Sequence, residues 1–148
     1  MLKRISTSSL GLLSLFIISS CTKDSTINDA EDISGTWQVT GIRSDVAADW
    51  DGDGYTETDI YADYSSCQRD IVLHFEPDGR GESRQGCNAS WQSLYWTLTN
   101  NNRNLSISLP GDDLDLRVVS FSRSQIRGED QVYFNGRNYV ITYTLSRR

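Results

Sequence analysis

The chain has a single histidine, His74, and beyond residue 21 only two cysteines, Cys67 and Cys87. That scarcity leaves the usual zinc-ligand spacings unfilled. A Gly-rich phosphate loop and a nucleophile elbow are also missing, and His74 has no nucleophile or orienting group identifiable beside it. No catalytic residue is therefore assigned, and an enzyme is not expected. The longest apolar run, Leu10 to Ile18, is roughly half the ~20 residues needed to cross a bilayer. No long helical period occurs anywhere. Basic residues are in deficit, 14 against 20 acidic, for a net charge of −6. With no basic stripe to meet phosphates, nucleic acid is a poor partner.

What the sequence does hold begins at its N-terminus. Lys3 and Arg4 precede the short apolar run, and small residues follow it, the pattern of an export signal over residues 1–20. Ile18-Ser19-Ser20-Cys21 resembles the lipobox of bacterial lipoproteins. That resemblance implies cleavage before Cys21, which then carries the lipid anchor and fixes the protein to the cell envelope as an outer-membrane lipoprotein, on the periplasmic face or the cell surface. Each buried methylene contributes about 0.8 kcal/mol, and two or more chains make such anchoring stable. Residues 21–32, polar and acidic, read as a lipidated flexible tether. The remainder, 33–148, is the size of one domain. Without Lys3 and Arg4 the balance is 12 basic to 20 acidic, near −8, which argues against a second, electrostatic attachment to anionic lipid.

Setting Cys21 aside leaves an even pair of cysteines in an oxidising compartment, so Cys67 and Cys87 are expected to form a disulfide. Closing a loop of about 20 residues contributes on the order of 3 kcal/mol in the chain-entropy picture. The alternative, two free thiols as metal ligands, lacks supporting histidines.

From Gly35 onward, apolar and polar residues alternate. Trp37 and Val39, Ile71 to Phe75, Leu94 to Leu98, Leu105 to Leu109, Leu114 to Val118 and Tyr139 to Leu145 each present one apolar face. Side chains point to opposite faces in turn along a strand, and one-sided patterning marks an antiparallel sheet. Weaker strands are expected over Gly81 to Gln85 and Gln125 to Gly128. The breaks are turn chemistry: Pro77-Asp78-Gly79, Asn100-Asn101-Asn102, Pro110-Gly111-Asp112, and Asn135-Gly136, which suits a two-residue hairpin. About eight short strands suggest an all-β, antiparallel barrel or sandwich.

Gly35-Thr36-Trp37 resembles the Gly-x-Trp motif on the first strand of lipocalins. The order of that motif, the Asp51 to Gly54 loop, Cys67, the Phe75 to Gly79 hairpin, Cys87 and Trp96 to Leu98 is similar to lipocalin-like lipoproteins of the Bacteroidota type. The resemblance spans about residues 33 to 148. It implies an up-and-down lipocalin-like β-barrel in which Gly35 and Trp37 close one end, with a basic residue after the last strand, here Arg147 or Arg148, packed on the tryptophan. An arginine on an indole contributes about 0.5–2 kcal/mol.

Asp49, Asp51 and Asp53, followed by Gly54, the Tyr55 carbonyl and Glu57, resemble the start of a calcium loop with alternating oxygen ligands. The twelfth position is Ile60 where a bidentate Glu would stand, so Asp59 could serve only if the loop is shortened. Calcium is the one cofactor expected. In a lipocalin-like barrel this segment lies between the first two strands, as a lid, with Trp50, Tyr61 and Tyr64 (and Tyr55) as candidate ligand-facing aromatics. Asp112, Asp113 and Asp115 read as a solvated turn. The expected function is binding of a small, partly apolar ligand. The alternative is a solidly packed, calcium-stabilised barrel acting as a protein-interaction or inhibitor module, which large inward residues such as Trp96, Tyr139 and Tyr143 favour.

Overall fold

In the computed structural model the residues described are 33–101 and 103–148; the export signal, Cys21 and the tether lie outside them. Eight strands run in chain order: β1 (Gly35–Ser44), β2 (Ile71–Phe75), β3 (Arg80–Gln85), β4 (Gln92–Thr99), β5 (Asn104–Leu109), β6 (Asp112–Phe121), β7 (Gln125–Phe134) and β8 (Arg137–Arg147). Each pairs antiparallel with its chain neighbours, and β1 pairs with β8, so the sheet closes into an up-and-down barrel. Closure removes both sheet edges, whose unpaired N–H and C=O groups would otherwise template aggregation. A helix of a single turn, α1 (Ile60–Asp63), lies in the β1–β2 connection.

The alternation read from the sequence sets which side chains fill the barrel. Trp37, Phe75, Leu94, Trp96, Leu105, Leu116, Ile126 and Leu145 are all buried and form one cluster. Two irregularities reset the pattern. In β1 the register shifts between Val39 and Gly41, so Thr40 is extra and Ile42, not Gly41, continues the inward face. A similar shift between Val118 and Ser120 leaves Val119 outside, 48% exposed. Such bulges bend a strand and increase its twist, as closing a small barrel requires.

Two expectations need correction. The strand expected over Gln125 to Gly128 continues to Phe134, because Gly128 is an inward position rather than a break: a Cβ there would meet the Leu116 Cβ at 2.8 Å. The acids after Pro110 are not a turn. Pro110-Gly111 alone turns the chain, and Asp112, Asp113 and Asp115 belong to β6, where Asp113 accepts a hydrogen bond from Ser108 Oγ of β5 at 2.7 Å.

The two ends of the barrel differ. The start of β1, the end of β8 and the β2–β3, β4–β5 and β6–β7 turns share one end, the base. The long β1–β2 connection, the β3–β4 loop, Pro110-Gly111 and Asn135-Gly136 share the other, the mouth.

Candidate functional site

At the base, the Trp37 indole donates to the Ile33 carbonyl at 2.7 Å, and the Arg147 guanidinium lies 4.4 Å from the ring centroid. Arg147 also donates to the Ser34 carbonyl at 2.7 Å and to the Arg123 carbonyl at 2.6 Å, tying the first strand to the β6–β7 turn. Gly35 has φ +118°, and a Cβ on it would come within 2.8 Å of Arg147 Nη1. Gly35, Trp37 and Arg147 therefore form one structural plug. The base is solid.

The mouth is hollow. A cavity of about 540 Å³ lies inside the open half of the barrel. Its deeper wall is aliphatic, with Val39, Ile42, Leu73, Ile107, Leu114 and Ile141 among its residues. A recess of about 340 Å³ shares Ile71, Leu73 and Leu109 with it and extends toward Pro110. Large inward residues thus fill only half the lumen: Trp96 belongs to the packed base, whereas Tyr143 lines the cavity.

The β1–β2 connection forms the lid. Ala48 and Glu57 exchange backbone hydrogen bonds, at 3.2 and 3.1 Å, which pinches the intervening acidic loop into a closed tip. Ser44 N–H donates to the Thr58 carbonyl, and Asp45 pairs with Val140 through backbone and side chain, pinning the lid's first strand-like segment to β8. The Cys67–Cys87 disulfide joins the far end of the lid to the β3–β4 loop. Nearby, Arg84 pairs with Asp70 at 2.9 Å and stacks over Trp91.

The expected site residues fall into separate places. Trp50 enters the mouth, stacks on Phe134 with centroids 4.8 Å apart and meets Tyr139 edge-on; it lines the cavity. Its Nε1 is a buried donor with no partner among the described residues. Tyr64 also lines the cavity. Tyr61 does not: its hydroxyl lies 2.9 Å from the Val39 carbonyl and 3.1 Å from the Arg69 carbonyl, so it fastens the lid to β1. Tyr55, 77% exposed at the loop tip, faces water.

Of the acids, Asp49, Asp51 and Asp53 each present a carboxylate oxygen within 4.8 Å of the others. The loop wraps around them. Asp49 accepts from the Gly52 and Gly54 amides, Asp51 from Asp53 and Asp53 from Tyr55, while Gly52 and Gly54 supply positive φ. Glu57 and Asp59 stand apart from this group. Glu57 accepts from the Trp50 amide at 3.0 Å and faces the cavity; Asp59 pairs with Arg43 at 2.7 Å and caps α1 by accepting from Ala62 N–H. His74 sits beside Thr36, its Nδ1 3.0 Å from the threonine hydroxyl.

Residue-by-residue reading did not single out Asp63, Asp112 or Tyr143 as cavity residues. Tyr143 was visible as an inward residue, but not as a wall. Burial, with Asp130, Tyr64 and Asp112 adding to it, pushes its hydroxyl up to about 12. Asp130 is itself raised, by burial first and then by Asp115 and Asp112.

A family described as "Domain of unknown function (DUF5004)" matches residues 18–136. Bovine odorant binding protein, solved in complex with its natural ligand, is a similar structure with a TM-score of 0.43 and 13% identity over 79% of this chain and 72% of its own. No curated protein matches the chain.

Proposed function

We propose that this chain, which belongs to the DUF5004 family, is a lipid-anchored binding barrel of the cell envelope that takes a small, partly apolar molecule into its mouth. The cavity carries this reading. At about 540 Å³ it falls within the 300–1,000 Å³ typical of small-molecule sites, and its aliphatic depth topped by polar and aromatic groups is the usual composition of such sites. A barrel packed only for stability would fill that space, since interiors normally reach crystal-like density.

Native mass spectrometry of the protein, purified gently from an oxidising compartment, tests it. A retained organic mass that disappears in a variant with Leu114→Trp, which fills the cavity, supports a binding barrel. A bare protein that also takes up no apolar probe would favour the interaction-module alternative.

Calcium belongs to the proposal as a loop-ordering ion. The donor set at Asp49, Asp51 and Asp53 is all oxygen and suits a hard cation, with the Tyr55 carbonyl and water to complete six or more ligands. Glu57 and Asp59 would remain with Trp50 and Arg43. Calorimetric titration with calcium chloride should give one site in the native chain and none in Asp51→Asn, and two equal melting curves with and without the ion would remove the ion from the proposal.

A further inference from the structure

The charge around the cavity limits which apolar molecules can enter it. Four carboxylates face the space, Asp51, Glu57, Asp63 and Asp112, and no Arg, Lys or His side chain lines it among the described residues. The arginines nearest the mouth are engaged elsewhere: Arg43 with Asp59, Arg84 with Asp70, Arg69 with the Ala62 carbonyl and the Tyr61 ring, and Arg137 over Tyr139. A carboxylate or phosphate head would meet like charge at the rim, and the one cation bordering the adjoining recess, Arg84, already pairs with Asp70 through Nη2 while its Nε is a buried donor. Trp50, Tyr64 and Tyr143 border the same space, and aromatic rings attract ammonium groups to their faces.

Resting on the reading of the mouth as a ligand site, we infer that the ligand class is a small organic cation: an amine or quaternary ammonium head held at the acidic, aromatic rim, with an apolar body in the aliphatic depth. The depth supplies affinity through burial. The rim supplies selectivity, because opposite charges in a partly enclosed cleft attract and like charges there repel. Burial is the main cause of the upward shifts of Asp130 and Tyr143, and Asp112, which lines the cavity, adds to both.

Three probes of equal chain length separate the possibilities: octyltrimethylammonium, 1-octanol and octanoate, titrated calorimetrically below micelle formation and in the presence of a calcium chelator. The expected order is cation tighter than alcohol, and alcohol tighter than carboxylate, with about tenfold or more between the two charged probes. That ratio should shrink several-fold in Asp63→Asn/Asp112→Asn, which neutralises two of the four carboxylates and whose side chains make no hydrogen bond or ion pair among the described residues, while 1-octanol binding changes far less. Equal binding of all three probes, octanoate binding tightest, or a cation preference undiminished in the double variant would overturn the charge assignment and leave the binding barrel standing. Failure of all three probes to bind would overturn both.

Discussion

Gly35 carries two requirements at once: a backbone φ of +118°, and room for the Arg147 guanidinium where a Cβ would stand. Either alone would disfavour any other residue, since a non-glycine held in such a conformation costs about 1–3 kcal/mol. Gly35→Ala should therefore destabilise the barrel by about 1–3 kcal/mol in denaturant titration, whereas Gly52→Ala, at a loop tip with nothing within 4 Å, should lose only the strain of its own φ. Tyr143 makes a different prediction. Its hydroxyl loses its proton near 10 when unfolded and only at about 12 when folded. Between those values the folded state binds more protons, so stability falls as pH rises through that window. Urea midpoints of the native chain should decline more steeply above pH 10 than those of Tyr143→Phe; parallel curves would mean that the ring is not held away from water.

Among the elements, the lid holds the least regular structure and the most cross-links. The Ala48–Glu57 bridge ties it internally, and the Tyr61 hydroxyl and the Cys67–Cys87 disulfide, which spans 20 residues and reaches the β3–β4 loop, attach it to the barrel. Replacing both cysteines by serine should cost about 3 kcal/mol of stability and increase amide exchange at residues 60–70 more than in the β7–β8 hairpin. Equal exchange in both regions would show that the disulfide acts only on the unfolded chain. The strands that alternation revealed are those with one dry face, and the Asn135-Gly136 hairpin and the Gly-x-Trp start of β1 were visible for the same local reasons. What stayed hidden depended on non-local contacts. Gly128 looked like a strand end because its inward neighbour, Leu116, is visible only once β6 and β7 are paired. The acids of β6 looked like a turn because Asp112 faces a cavity mouth that no local pattern encodes. Trp50 and Tyr64 could be nominated from the lid's composition, but Tyr61 could not be told from them until its hydroxyl was seen to hold β1.

At the scale of the whole molecule, the two ends of the barrel have opposite characters, and the chain enters at the solid one. Ile33, the first residue described, is fully buried against Trp37, beside the Arg147 plug and at the end opposite the cavity. If the anchor is at Cys21, as proposed, the lipid is attached on the base side, and the mouth is directed away from the bilayer into the aqueous compartment. If residues 21–32 form the tether, their 12 residues reach at most about 40 Å, so it is the base that is tied within that distance of the lipid. Two consequences follow together. Cys21→Ser should shift the protein from the membrane fraction to the soluble fraction. Affinity for a water-soluble probe such as octyltrimethylammonium should nevertheless be the same for the soluble variant and for the native chain reconstituted in neutral vesicles, because the cavity is accessible in both. A variant that stayed with the membrane would remove the anchor from the proposal. A soluble form that bound about tenfold tighter would show that the bilayer covers the mouth, and that ligand reaches the barrel from lipid rather than from water.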